Sequence, residues 1–125
     1  MLNPCIIPAN EEITPSVMLD AGKGTFEISG WSHPEDSMSF YAPVLNWLNK
    51  YAESPNAATV FNFRFQYFNT SSAKQVFRTI SALEDVSKKS NVTIRWHYDN
   101  EDTDMRAAGE RFAKMSTVPF VFISN

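Results

Sequence analysis

Residues 58–72 read Ala-Thr-Val-Phe-Asn-Phe-Arg-Phe-Gln-Tyr-Phe-Asn-Thr-Ser-Ser, and this stretch decides the fold. Phe61, Phe63, Phe65 and Tyr67 alternate with Asn62, Arg64 and Gln66. Successive side chains of a strand point to opposite faces. The alternation therefore predicts a strand from Ala58 to Phe68 with one buried and one polar face. Asn69, Thr70, Ser71 and Ser72 follow. Their side chains suit the free amides at a helix start. A helix is predicted from Ser72 to Lys89, with Val76, Phe77, Ile80, Leu83 and Val86 inward.

Working outward, the pattern repeats. Val92, Ile94, Trp96 and Tyr98 alternate with Thr93, Arg95 and His97, which predicts another strand. A third helix covers Thr103 to Met115, with Met105, Ala108, Phe112 and Met115 on one stripe, and Val118 to Ile123 closes the chain as a strand. Upstream, Ser37 to Glu53 carries Phe40, Val44, Trp47, Leu48 and Tyr51 at helical spacing, with Asp36 or Ser37 as its cap. Before it, Val17 to Leu19 and Thr25 to Ser29 form a hairpin whose turn uses Gly22 and Gly24 for positive φ, and Gly30 to Asp36 is a loop. The predicted order is β-β-α-β-α-β-α-β in one domain spanning residues 1–125. Strand–helix–strand runs favour right-handed parallel crossovers. The polar strand face places the helices mainly on the other side of a mixed sheet. Asn62, Arg64, Gln66, Arg95 and His97 are left on the open one.

Composition narrows the function. With 43% hydrophobic and 14% aromatic residues the chain has the material for a core, which excludes a disordered segment. The net charge of −3 and the absence of a basic stripe argue against nucleic acid. A single cysteine, Cys5, excludes an internal disulfide and a multi-cysteine metal site. The first residues lack a basic, then apolar, export signal, and no run reaches the ~18 apolar residues of a membrane span. The expected location is the cytoplasm.

Few places could hold chemistry. Asp99, Glu101, Asp102 and Asp104 precede the third helix, where acids complement the helix dipole. They are also candidates for partner contact, without the spacing of a calcium loop. His33 and His97 lack a ligand set, so no metal and no cofactor is expected. Ser32, His33 and Asp36 fall within one short loop, Ser32-His33-Pro34-Glu35-Asp36, without a nucleophile elbow, a weak basis for an enzyme. The segment Asn69 to Ser72 caps a helix. A phosphate on one of its hydroxyls would meet free N–H groups and the positive end of the dipole.

Thr14-Pro15, Gly30-x-Ser32-x-Pro34-Glu35-Asp36, Phe40-Tyr41-x-Pro43 and Trp47-Leu48 precede this segment in order. Tyr67-Phe68-Asn69-Thr70-Ser71-Ser72-x-Lys74 contains it, and Trp96-x-Tyr98-Asp99, Asp102, Asp104-Met105 and Gly109-Glu110 follow. Together they resemble the SiaC family of bacterial regulatory phosphoproteins, from about Ile13 to Phe120. The resemblance implies a fold like the STAS-type anti-sigma-factor antagonists. It implies a non-enzymatic partner switch in which Thr70 is phosphorylated by a dedicated Ser/Thr kinase and restored by a PP2C-type phosphatase. Asn69, Ser71 and Ser72 would shape that site. It further implies that the unphosphorylated form binds and activates a diguanylate cyclase, and so acts on cyclic di-GMP signalling and biofilm formation. A module of the same fold for another partner, such as an anti-sigma factor or a kinase, is the alternative. His33 stands where the family often has Tyr, and Asp36 where Asn is frequent.

Overall fold

In the computed structural model, which describes residues 2–125, the elements run β1 (Cys5–Ile7), β2 (Ser16–Asp20), β3 (Thr25–Ser32), α1 (Ser37–Tyr51), β4 (Ala58–Phe68), α2 (Thr70–Val86), β5 (Asn91–Tyr98), α3 (Thr103–Lys114) and β6 (Phe120–Ser124). The order is the one the alternation predicts, preceded by the short strand β1. The six strands lie in the sheet in chain order. β1, β2 and β3 pair antiparallel, and β3 through β6 pair parallel. Each parallel step is a crossover through one helix. All steps run in the same direction, so a common hand puts all three helices on one face.

That face holds the core. Val17, Leu19, Phe26, Ile28, Phe61, Phe63, Val92, Ile94 and Trp96 are buried on the strands against Tyr41, Val44, Leu48, Val76, Ile80 and Leu83 of the helices. Asn62, Arg64, Arg95 and His97 lie on the opposite face, as their alternation requires. Glu27 and Arg64 form an ion pair there at 2.6 Å.

The structure corrects several expectations. The second strand of the hairpin runs on to Ser32, so the loop before α1 is shorter. Gly24 and Gly30 have positive φ, and Gly22 does not. Gly30 matters most. The register of β3 on β4 shifts beside it, pairing Gly30 with Phe65 and then Trp31 with Tyr67. Gln66 is the extra residue of a bulge, which breaks the period of two. Tyr67 therefore leaves the core side and is 44% exposed. Phe68 takes the inward place, packing on Phe65, Trp96 and Phe112. Phe77 and Met115 keep the expected spacing but are exposed, Phe77 on α2 and Met115 at the cap just past the end of α3. Tyr41 is buried instead.

α3 sits close on the sheet. Trp96 Nε1 donates to the Met105 carbonyl at 3.0 Å. A Cβ at Gly109 would lie 2.4 Å from the Trp96 ring.

Candidate functional site

The turn from β4 into α2 divides its four polar residues among different tasks. Asn69 is the N-cap, with extended backbone, and its Oδ1 accepts from the Ser72 amide at 2.9 Å. The Ser71 hydroxyl donates to the same oxygen at 3.2 Å. Ser72 is fully buried. The helix thus begins at Thr70, two residues earlier than expected, because the cap is Asn69. Thr70 occupies the first helical position, exposed, and no group among the described residues bonds its hydroxyl. Asn69→Ala removes the side chain that holds this end. It should cost about 1 kcal/mol of stability, measured by urea unfolding.

A chain of buried hydroxyls lies beneath. Ser32 Oγ donates to Ser72 Oγ at 2.9 Å. Its proton is used there, so Tyr41 is the donor in the 2.6 Å bond to Ser32. The chain joins β3, α1 and the first turn of α2. Two more bonds support it, from the Asn69 amide to the Ser32 carbonyl at 3.1 Å and from Ser37 Oγ to the Ser71 carbonyl at 3.3 Å. Burial pushes the Tyr41 phenol up to about 12. In the unfolded chain it ionises near 10. Stability held below pH 10 is therefore lost as pH rises from about 10 to about 12, on the order of 2 kcal/mol. Tyr41→Phe should flatten that part of the stability–pH curve while lowering stability at neutral pH, both readable from chemical denaturation.

Exposed apolar side chains occur on the elements that meet at this turn. Phe77, 40% exposed, lies two turns further along the same side of α2. Met38, 63% exposed, stands at the start of α1, which touches this turn through Ser37. Tyr67 packs against Trp31 and His33, each with ring centres 5.8 Å away. Scattered exposed apolar residues are ordinary, and these three lie at the end of the molecule where α1 and α2 begin.

The acidic loop lies at the same end of the sheet, after β5. Asp102 caps α3, accepting from the Met105 amide at 3.0 Å. Asp99 accepts from the Glu101 amide at 3.3 Å. Asp104 sits in the first turn of α3. Among the described residues no group of three or more His, Cys, Asp or Glu is placed to hold a metal. Ser32, His33 and Asp36 do not form a relay: Ser32 bonds Tyr41 and Ser72, and Asp36 caps α1 through Ser39. The Ser39 hydroxyl and amide hold Asp36 below the usual carboxylate range. No described helix is long and apolar enough to cross a membrane. Trp31 supports the site without having been named in the sequence, and Ser32 and Tyr41, named there for a weak relay and for the family pattern, serve instead as buried hydroxyls that hold the turn. The glycine inside the β3 pattern was the available signal for the bulge that exposes Tyr67.

Comparison with known proteins agrees with this fold. The model of SiaC family regulatory phosphoproteins matches residues 7–125. An uncharacterised protein of Pseudomonas aeruginosa strain UCBPP-PA14 is 28% identical over 115 residues, covering 91% of this chain and 90% of its own. The structure of SiaC of Pseudomonas aeruginosa superposes with a TM-score of 0.86 at 26% identity, covering 98% of this chain and 99% of that one. A chain in the complex of the diguanylate cyclase SiaD with its activator SiaC, from the same organism, gives 0.88 at 26% identity, covering 97% and 99%.

Proposed function

Because this chain belongs to the SiaC family of regulatory phosphoproteins, we propose that it switches a protein partner through reversible phosphorylation of Thr70. The whole chain, residues 1–125, acts as one regulatory domain in the cytoplasm, and as a regulator rather than an enzyme. The observation that carries the reading is the free Thr70 hydroxyl: its neighbours Asn69, Ser71 and Ser72 are engaged in holding the turn. The partner of the unphosphorylated form is a diguanylate cyclase, which it activates. The support is the similar SiaC chain, which is the activator of SiaD. A Ser/Thr kinase adds the phosphate and a PP2C-type phosphatase removes it, so the switch acts on cyclic di-GMP signalling and biofilm formation.

A phosphate brings nearly two negative charges. At the first position of α2 these meet the positive end of the helix dipole, so the isolated domain tolerates them. A partner packed on Met38, Tyr67 and Phe77 does not, because it would have to strip water from the phosphate without pairing it.

Intact-mass and site-mapping analysis of the protein from its native host, with phosphatase treatment as control, tests this. One removable phosphate on Thr70 is the expected result. Thr70 unmodified in every growth condition, and in a reaction with a kinase encoded beside it, would overturn the reading. Capture of a different protein by the Thr70→Ala chain would keep the switch and replace the cyclase.

A further inference from the structure

β6 ends the sheet, and its outer side meets no other strand among the described residues. A strand in a parallel pair turns both backbone groups of alternate residues to its neighbour. The Pro119 carbonyl accepts from the Ile94 amide at 2.9 Å, and the Asn125 amide donates to the Tyr98 carbonyl at 3.0 Å. By alternation residues 119, 121, 123 and 125 serve β5. The N–H and C=O groups of Phe120, Phe122 and Ser124 point outward, with no strand to receive them. Proteins usually guard such an edge with shortness, proline or charge. β1, the opposite edge, is three residues long and lies between Pro4 and Pro8. β6 is five residues long and reads Phe-Val-Phe-Ile-Ser, without charge or proline.

The helix above this edge carries matching charges. Trp96 is the register partner of Phe122, and its ring lies against Gly109 and donates to the Met105 carbonyl. The middle of α3 is therefore level with Phe122. Asp104, Met105, Ala108 and Arg111 border a hollow on the β4 side of α3. At about 100° per residue, Arg106 and Glu110 fall on the other flank of the buried stripe, toward β6. Arg106 stands over the ring of Tyr98, whose register partner is Ser124. Arg106 and Glu110 pair loosely with each other at 3.8 Å, and both side chains are at least half exposed.

A two-fold axis through Phe122, perpendicular to the sheet, matches this edge to its own copy. Phe122 meets Phe122, Phe120 meets Ser124, and every outward group gains a partner. The same axis runs the two α3 helices antiparallel, with Arg106 of each copy facing Glu110 of the other. The helices ride over β5, so they stand about three strand spacings, ~14 Å, apart. That is too far for backbone contact and within reach of these two side chains. An unrelated strand would gain the hydrogen bonds without this charge pairing. We propose that the free chain forms a two-fold dimer through β6, with one sheet running through both copies. Phe120 and Phe122, half-buried against the core, fill the space beneath the two helices. Thr70 lies outside this interface, so the inference does not rest on the switch.

Sedimentation velocity of the unmodified full chain, from about 1 μM to about 1 mM, is the direct test, with amide exchange measured at both ends of the range. The expected result is a mass that rises to that of two chains. Within β6, only the amides of Phe120, Phe122 and Ser124 should gain protection with concentration, because those of Val121 and Ile123 already serve β5. Val121→Lys with Ile123→Lys sets lysines opposite each other across the axis and should abolish association. Both side chains stand on the open face, beside Arg95 and His97, and circular dichroism checks that the variant folds. Arg106→Glu should weaken association about tenfold or more, and adding Glu110→Arg should restore it to within about threefold of the parent. A single-chain mass at every concentration would overturn the proposal, as would protection at another edge or a charge reversal without effect. If the same three amides gain protection only when the cyclase is added, the edge belongs to a strand of that partner and the dimer falls.

Discussion

Thr70→Asp is expected to weaken binding of the cyclase about a hundredfold, while Thr70→Ala binds like the parent. Thr70 is exposed, and its hydroxyl is free of hydrogen bonds within the described chain. Covering that surface leaves Ala at position 70 in contact and leaves Asp as a charge stripped of water. A hundredfold change corresponds to about 3 kcal/mol, within the range for a buried charge left unpaired. Stability should move the other way. An acid in the first turn of α2, which has none now, complements the helix dipole by about 0.3–1 kcal/mol. Titration calorimetry against the cyclase and thermal melting of the free chain read the two effects separately. Equal affinities of Thr70→Asp and Thr70→Ala would place Thr70 outside the interface.

Gly109→Ala should destabilise the protein by about 3 kcal/mol, the upper end of ordinary overpacking. Alanine in a helix interior normally stabilises relative to glycine, by roughly 0.5–1 kcal/mol. Here the added Cβ would stand 2.4–2.7 Å from three atoms of the Trp96 ring. Trp96 cannot yield easily. It is fully buried, is hemmed in by Phe63, Phe68 and Phe112, and is tied to the Met105 carbonyl by its ring nitrogen. α3 would have to lift from the sheet, disturbing the Asp102 cap. Urea unfolding measures the loss. A stabilised Gly109→Ala chain would show that α3 is free to shift.

The alternation in residues 58–65 and 92–96 is strong enough to fix two central strands and their polar face, because period-two burial is a local property of the chain. The sheet order and the helix-bearing face follow from parallel crossovers. Tyr67 was misplaced because an inserted residue such as Gln66 leaves no mark on its own strand. The mark is Gly30, on the partner strand 36 residues earlier in the sequence. Phe77 and Met115 fit their stripes by spacing, yet spacing does not say where the covering elements end. At the site, Asn69 as a cap is readable from residue type alone. Thr70 was singled out through the family pattern. The burial of Ser72 was not readable, because its partners Ser32 and Tyr41 come from other elements and meet it only in three dimensions.

The hydroxyl chain from Tyr41 through Ser32 to Ser72 has a consequence for timing. It clamps the first turn of α2 from below, so a modification at Thr70 has no loose segment to reorganise. Under the proposed switch, the phosphorylated and unmodified chains would share one backbone and one pattern of amide exchange. The signal would then be a change of surface and not of shape. No refolding lag would separate the chemical event from its reading, and the pace of the circuit would belong to the kinase and the phosphatase.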